Sequence, residues 1–154
     1  MVLMGGRGEG WVIAQGVLFL AYLFAPAFVS WPWPLRLAAA VVGLPVLVVG
    51  AVFLGYGLAG LGPALSPFPK PKADGKLVTD GIYGCVRHPI YGGLVMVAIG
   101  FALITGSIGR IVLAGALLGF FAAKSDVEER WLRQRYPDYA DYQKRVRRML
   151  PGLW

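Results

Sequence analysis

The feature that most limits what this chain can fold into is where its charges are missing. None falls between Glu9 and Arg36, and Trp11 to Ser30 is an apolar stretch of 20 residues. As a helix rising about 1.5 Å per residue, that stretch would reach about 30 Å, one hydrocarbon thickness of a bilayer. A second charge-free stretch runs from Leu37 to Pro69, with its apolar part ending near Leu65. It is long enough to span with tilt or with a kink at Pro45. A third runs from His88 to Gly109, and Arg110 alone separates it from the apolar run Ile111 to Ala123. Thr105-Gly106-Ser107-Ile108-Gly109 is rich in turn formers. The spacing therefore predicts a helical hairpin with arms Tyr91–Thr105 and Ile108–Ala123, Arg110 snorkelling at its tip, and the last helix continuing past Lys124.

Composition agrees with this reading. Of the 154 residues, 57% are hydrophobic, against 45–50% in ordinary soluble domains, which excludes a freely soluble fold. The formal charge of +7 would suit nucleic acid, but in so apolar a chain anionic lipid is the better counter-charge. One cysteine, Cys85, excludes an internal disulfide framework. A signal peptide competes for the first stretch because Ala25-Pro26-Ala27 resembles a cleavage site; the mixed charges Arg7 and Glu9 before it and the proline inside it favour a retained helix.

Four spans would place thirteen of the 15 basic residues on one side, all but Arg36 and Arg110. By the positive-inside rule that side, with both termini, is cytoplasmic. The expected fold is an all-α integral membrane protein with about four transmembrane helices, the last two a hairpin, plus a cytoplasmic C-terminal amphipathic helix. It forms a single domain: two spans in 1–65, a cytoplasmic loop in 66–90, the hairpin in 91–123 and tail helices in 124–154. Gly115-Ala116-Leu117-Leu118-Gly119 and the glycines at 43, 50, 55, 57, 60 and 62 predict close helix packing, with homodimerisation through small-residue faces as the alternative. No Asp, Glu or His lies at mid-membrane depth, which argues against an ion channel or proton pump.

Two polar segments remain. Ser66 to Lys76 is a proline-rich connector leading into Leu77–Gly93, where two tyrosines, Arg87 and the chain's single histidine, His88, meet a membrane helix. Pro89 suits the first turn of that helix, whose unpaired N–H groups face whatever lies beyond it. An interfacial anchor is the plainer reading of the same residues. Past the last span, Glu128, Trp131, Leu132 and Arg135 share helical spacing, and a carboxylate there could meet a cationic ligand or merely pair with Arg87 or Arg130. Asp138 is a plausible cap for a final helix whose stripe is Tyr139, Tyr142, Val146 and Met149, with a basic flank suited to an anionic leaflet.

The pattern Leu77-Val78-Thr79-x-Gly81-x-Tyr83-x-x-x-Arg87-His88-Pro89-x-Tyr91-x-Gly93, followed by Glu128-Glu129-x-x-Leu132-x-x-x-Tyr136-x-x-Tyr139-x-x-Tyr142-x-x-x-Val146-x-Arg148-x-x-Pro151, resembles the isoprenylcysteine carboxyl methyltransferase family. These integral-membrane enzymes are related to the phospholipid N-methyltransferases. The resemblance covers roughly the second half of the chain and implies S-adenosylmethionine as cofactor. It implies cofactor contacts at Lys76, Leu77, Val78, Tyr83, His88, Pro89, Ile90, Tyr91 and Glu128. It also implies a catalytic group of His88, Arg87 and Lys124, acting on a small lipophilic or lipid-attached acceptor, with no metal and no nucleic acid. Lys124 stands where carboxyl methyltransferases have an acceptor-contacting arginine, and a lysine lacks the bidentate fork. An NADPH-dependent membrane reductase and a non-enzymatic membrane interaction protein are the competing readings.

Overall fold

In the computed structural model, residues 6–25, 31–72 and 75–150 are described. Residues 26–30, which hold most of the cleavage-like site and the end of the first apolar stretch, lie outside them, as does Pro151. The described residues form five α-helices: α1 (Glu9–Leu23), α2 (Trp33–Leu61), α3 (Pro89–Thr105), α4 (Ile108–Arg135) and α5 (Tyr139–Arg145). Short 3-10 turns at Gly62–Ala64 and Gly81–Gly84 flank the connector between α2 and α3.

The fold is all-α, but the expectation of four spanning helices does not hold. Among the described residues, two helices are long and apolar enough to cross a membrane: α2 with its 3-10 extension, Trp33–Ala64, at 32 residues, and α4 at 28. Helix α1 has 15 residues and α3 has 17, short of the 20 or so that a bilayer core asks of a helix. The apolar stretches overstated helix length because helix ends are set by backbone chemistry. Gly106 stops α3 by taking the left-handed conformation, φ 61°, and α1 ends at Leu23, shortly before Pro26.

Nor do α3 and α4 form a separate hairpin of two matched spans. Helix α3 lies chiefly along α2 and more lightly on α4, because glycines remove the side chains that would hold α2 and α3 apart. A Cβ at Gly50 would sit 2.9 Å from the Gly93 carbonyl, and one at Gly100 would sit 2.6 Å from the Gly43 carbonyl. Gly115 and Gly119 have open space where a Cβ would be, so no described residue packs closely against that small-residue pair. The expected amphipathic C-terminal helix is corrected too. Helix α5 is only seven residues long and its Asp138 cap makes no side-chain hydrogen bond. Tyr139 and Tyr142 are buried inside the protein at 1% and 4% exposure, leaving no apolar stripe free to lie on a membrane.

After α5 the chain turns back under the start of α3. Val86 and Arg147 form an isolated parallel bridge, and the Arg87 and His88 amides donate to the Arg147 and Arg148 carbonyls, both at 2.8 Å. Met149 is then buried with Tyr22, Val95, Leu117 and Phe121, beside Gly92, whose missing side chain admits the Met149 carbonyl. Outward, α2 leaves Val41, Val42, Leu44 and Val48 at 68, 58, 57 and 51% exposure. An apolar surface on that scale belongs against lipid, and with the two helices of spanning length it fits an integral membrane protein.

Candidate functional site

A cavity of about 280 Å³ lies where the connector, the start of α3, the lower half of α4 and α5 converge, with Gln15 of α1 reaching its wall. This is near the lower end of small-ligand sites. Its apolar lining comes from Leu65, Leu77, Val78, Ile90 and Leu94.

Each polar group arrives by a local rule. His88 precedes a proline, which keeps it out of helical geometry (φ −126°, ψ 62°) and makes it the residue from which α3 starts, with Pro89 at the first turn. Its ring is 6% exposed and stacks on Tyr91, centroids 5.4 Å apart and planes within 4°. Helix α4 continues without a break from its apolar half, so Lys124 and Glu128, four residues apart, come to the same face. Glu128 lines the cavity and accepts a 2.7 Å hydrogen bond from the Tyr91 hydroxyl.

Lys124 is 1% exposed. It donates to Gln15 Oε1 at 2.6 Å and to the Pro67 carbonyl at 2.9 Å, and its ammonium stands 5.3 Å from the Tyr91 ring centre. No carboxylate lies within 4.0 Å of it among the described residues, so this buried cation rests on neutral acceptors and a ring face.

Glu129 has a different task. It is 2% exposed and accepts from Arg87 Nε at 2.9 Å, His88 Nε2 at 3.0 Å and Gln143 Nε2 at 2.6 Å. With a carboxylate facing it, Nε2 is the donating nitrogen of the imidazole. Arg87 also donates through Nη1 to the Gln143 and Val146 carbonyls, so the hydrogen bonds of its guanidinium tie α5 and the segment after it to the base of α3.

Tyrosines close the remaining walls. The Tyr83 hydroxyl donates to the Gly57 carbonyl at 3.0 Å, Tyr142 to the Tyr83 carbonyl at 2.6 Å, and Tyr136 to the Gly75 carbonyl at 2.6 Å. Burial pushes the Tyr142 phenol up to about 12. Burial, and then the Glu128 charge, also raises Tyr83, and burial followed by the Glu129 charge raises Tyr139. All three stay protonated at neutral pH, and Tyr83 and Tyr142 act as donors. Tyr139 Oη is buried without a hydrogen-bond partner among the described residues.

Of the residues expected from sequence, Lys76, Leu77, Val78, Tyr83, Arg87, His88, Ile90, Tyr91, Lys124 and Glu128 all line this one cavity. Pro89 does not line it; it packs beneath α2 at Gly57. Sequence reasoning missed Gln15, although a lone amide inside the apolar run after Trp11 was a usable signal. The resemblance pointed to Glu128, but the residues by themselves did not separate it from Glu129, and nothing local marked Gln143.

A family model described as phospholipid methyltransferase matches residues 38–139. Protein-S-isoprenylcysteine O-methyltransferase B of Arabidopsis thaliana is 29% identical over 108 residues, 68% of this chain and 55% of that protein. Methanethiol S-methyltransferase of Pseudomonas deceptionensis is 32% identical over 111 residues, 70% of this chain and 42% of that protein. A solved eukaryotic intramembrane Ras methyltransferase, an isoprenylcysteine carboxyl methyltransferase, superposes with a TM-score of 0.68 at 24% identity, covering 97% of this chain and 55% of that one. At that identity the likeness shows the fold. The chain thus spans about half the length of these relatives.

Proposed function

The chain belongs to the phospholipid methyltransferase family, and from that premise we propose that it moves a methyl group from S-adenosylmethionine to a small lipophilic or lipid-attached acceptor at the membrane surface. The observation that carries this reading is the convergence of the Lys76–Tyr91 segment with Glu128 of α4 around one apolar-walled cavity. All five helices and the connector contribute to its walls, which supports a single functional unit. The side that bears the connector and the C-terminal segment also bears most of the basic residues, and we assign it to the cytoplasm.

The residues present suit the cofactor's chemistry. S-adenosylmethionine supplies, when bound, a methyl group on a sulfonium sulfur. Glu128, fixed by the Tyr91 hydroxyl, offers a carboxylate for an ammonium group. Lys76 and the first turn of α3 offer positive charge and free amides for a carboxylate. The Tyr83 hydroxyl is already bound to Gly57, so that side chain offers its ring. Lys124 is held in place by Gln15 and Pro67 and orients the acceptor. Glu129 and Arg87 fix the pose of His88 from behind. Catalysis by these residues is chiefly alignment and exclusion of water. An NADPH reductase fits less well, because the Glu128 carboxylate would repel a phosphate.

Calorimetric titration of the detergent-purified chain with S-adenosylhomocysteine tests the reading. Wild type binds, and Glu128→Ala or His88→Ala weakens binding by about tenfold or more, the cost of losing a charge-assisted contact. Absence of binding by well-folded wild type overturns the proposal. Incubating the protein with a lipid extract and radiolabelled methyl donor then identifies the acceptor.

A further inference from the structure

At the Arg87–Glu129 pair the surface opens into a second groove, of about 480 Å³. Six cationic side chains and two carboxylates line it. The carboxylates are already taken: Asp126 pairs with Arg148, and Glu129 with Arg87 and His88. Lys144 also pairs with Asp141 beside the groove, and the remaining cations leave the charge there positive. Arg133 and Lys144 stand at the exposed rim with Arg145 and Arg147. Arg147 has no side-chain hydrogen bond or ion pair among the described residues, although its backbone is fixed to Val86 and Arg87.

The depth of the groove identifies its occupant. Asp126 and Glu129 follow directly on the apolar run Ile111–Ala123 of α4, a helix long enough to cross a bilayer. The first turns beyond such a run lie at the level of lipid headgroups. Guanidinium groups match phosphate oxygens in geometry as well as in charge. We propose that this groove seats the phosphate of an anionic phospholipid, drawn from the leaflet beside α4. The site is separate from the methyl-transfer cavity but adjoins it, because Arg87 lines both. The inference rests on α4 crossing the membrane and stands whether or not the chain transfers methyl groups.

Native mass spectrometry of the full chain in non-ionic detergent tests it, with dioctanoyl phosphatidylglycerol, dioctanoyl phosphatidylcholine and inorganic phosphate as probes. Phosphatidylglycerol is expected to bind at least about tenfold more tightly than phosphatidylcholine, and to weaken as salt is raised. The double change Arg145→Gln with Arg147→Gln is expected to lower phosphatidylglycerol affinity by about tenfold or more. Arg133→Gln, on a different element, gives an independent loss should the double variant not fold. Equal binding of the two lipids, or unchanged binding in folded variants, overturns the proposal. Displacement of the lipid by an equal concentration of phosphate overturns it as well, and assigns the groove to a free anion.

Discussion

Glu128 and Glu129 are neighbours in the chain yet do unlike things, because successive residues on a helix point about 100° apart. One turns to the cavity; the other is sealed among Arg87, His88 and Gln143. Removing Glu129 strands a nearly buried guanidinium, so Glu129→Ala should cost about 3–5 kcal/mol of stability. Chemical denaturation in detergent measures this, and a cost under about 1 kcal/mol contradicts the network. The tyrosines give a paired test. Tyr142→Phe loses the bond to the Tyr83 carbonyl and should cost about 1 kcal/mol. Tyr139→Phe removes a buried hydroxyl with no partner among the described residues and should leave the midpoint unchanged or raise it.

Among the elements, the α2–α3 contact is the one most sharply determined. Gly43 and Gly50 face Gly100 and Gly93, and each added Cβ would meet backbone. Gly93→Ala should therefore destabilise by about 1–3 kcal/mol or more through overpacking, whereas Gly115→Ala, on an open face, should be neutral or slightly stabilising. Thermal unfolding of the two variants side by side separates them. The sequence offered both glycine sets as packing faces. Small residues permit close approach without specifying a partner, so only the tertiary structure could choose between them. The tail shows the same limit: an apolar stripe at Tyr139, Tyr142 and Met149 was visible, but its burial beneath α3 depends on Arg87 and His88, some 50 residues earlier in the chain.

For the molecule as a whole, the orientation assigned here makes a direct prediction. Cys85 is exposed, is the chain's one cysteine, and follows the 3-10 turn on the connector side. A membrane-impermeant maleimide should label it in inverted membrane vesicles and leave it unlabelled in intact cells. Labelling in intact cells reverses the orientation. The same exposed apolar residues of α2 should make the protein aggregate on detergent removal and recover in lipid.

By itself the sequence showed that this chain belongs in lipid, roughly where its helical segments lie, and which two polar segments come to line the cavity. Those properties follow from local composition, from proline and glycine backbone preferences and from helical periodicity, all readable within a few turns of chain. Only the tertiary structure decided that, among the described residues, two helices rather than four have spanning length, because a charge-free run does not say where hydrogen bonding along the helix stops. Only it sealed Glu129 among Arg87, His88 and Gln143, brought Gln15 to Lys124 and turned the tail inward. Each of these is a contact between residues far apart in the chain, and a sequence read locally carries no term for the partner that will satisfy a buried charge.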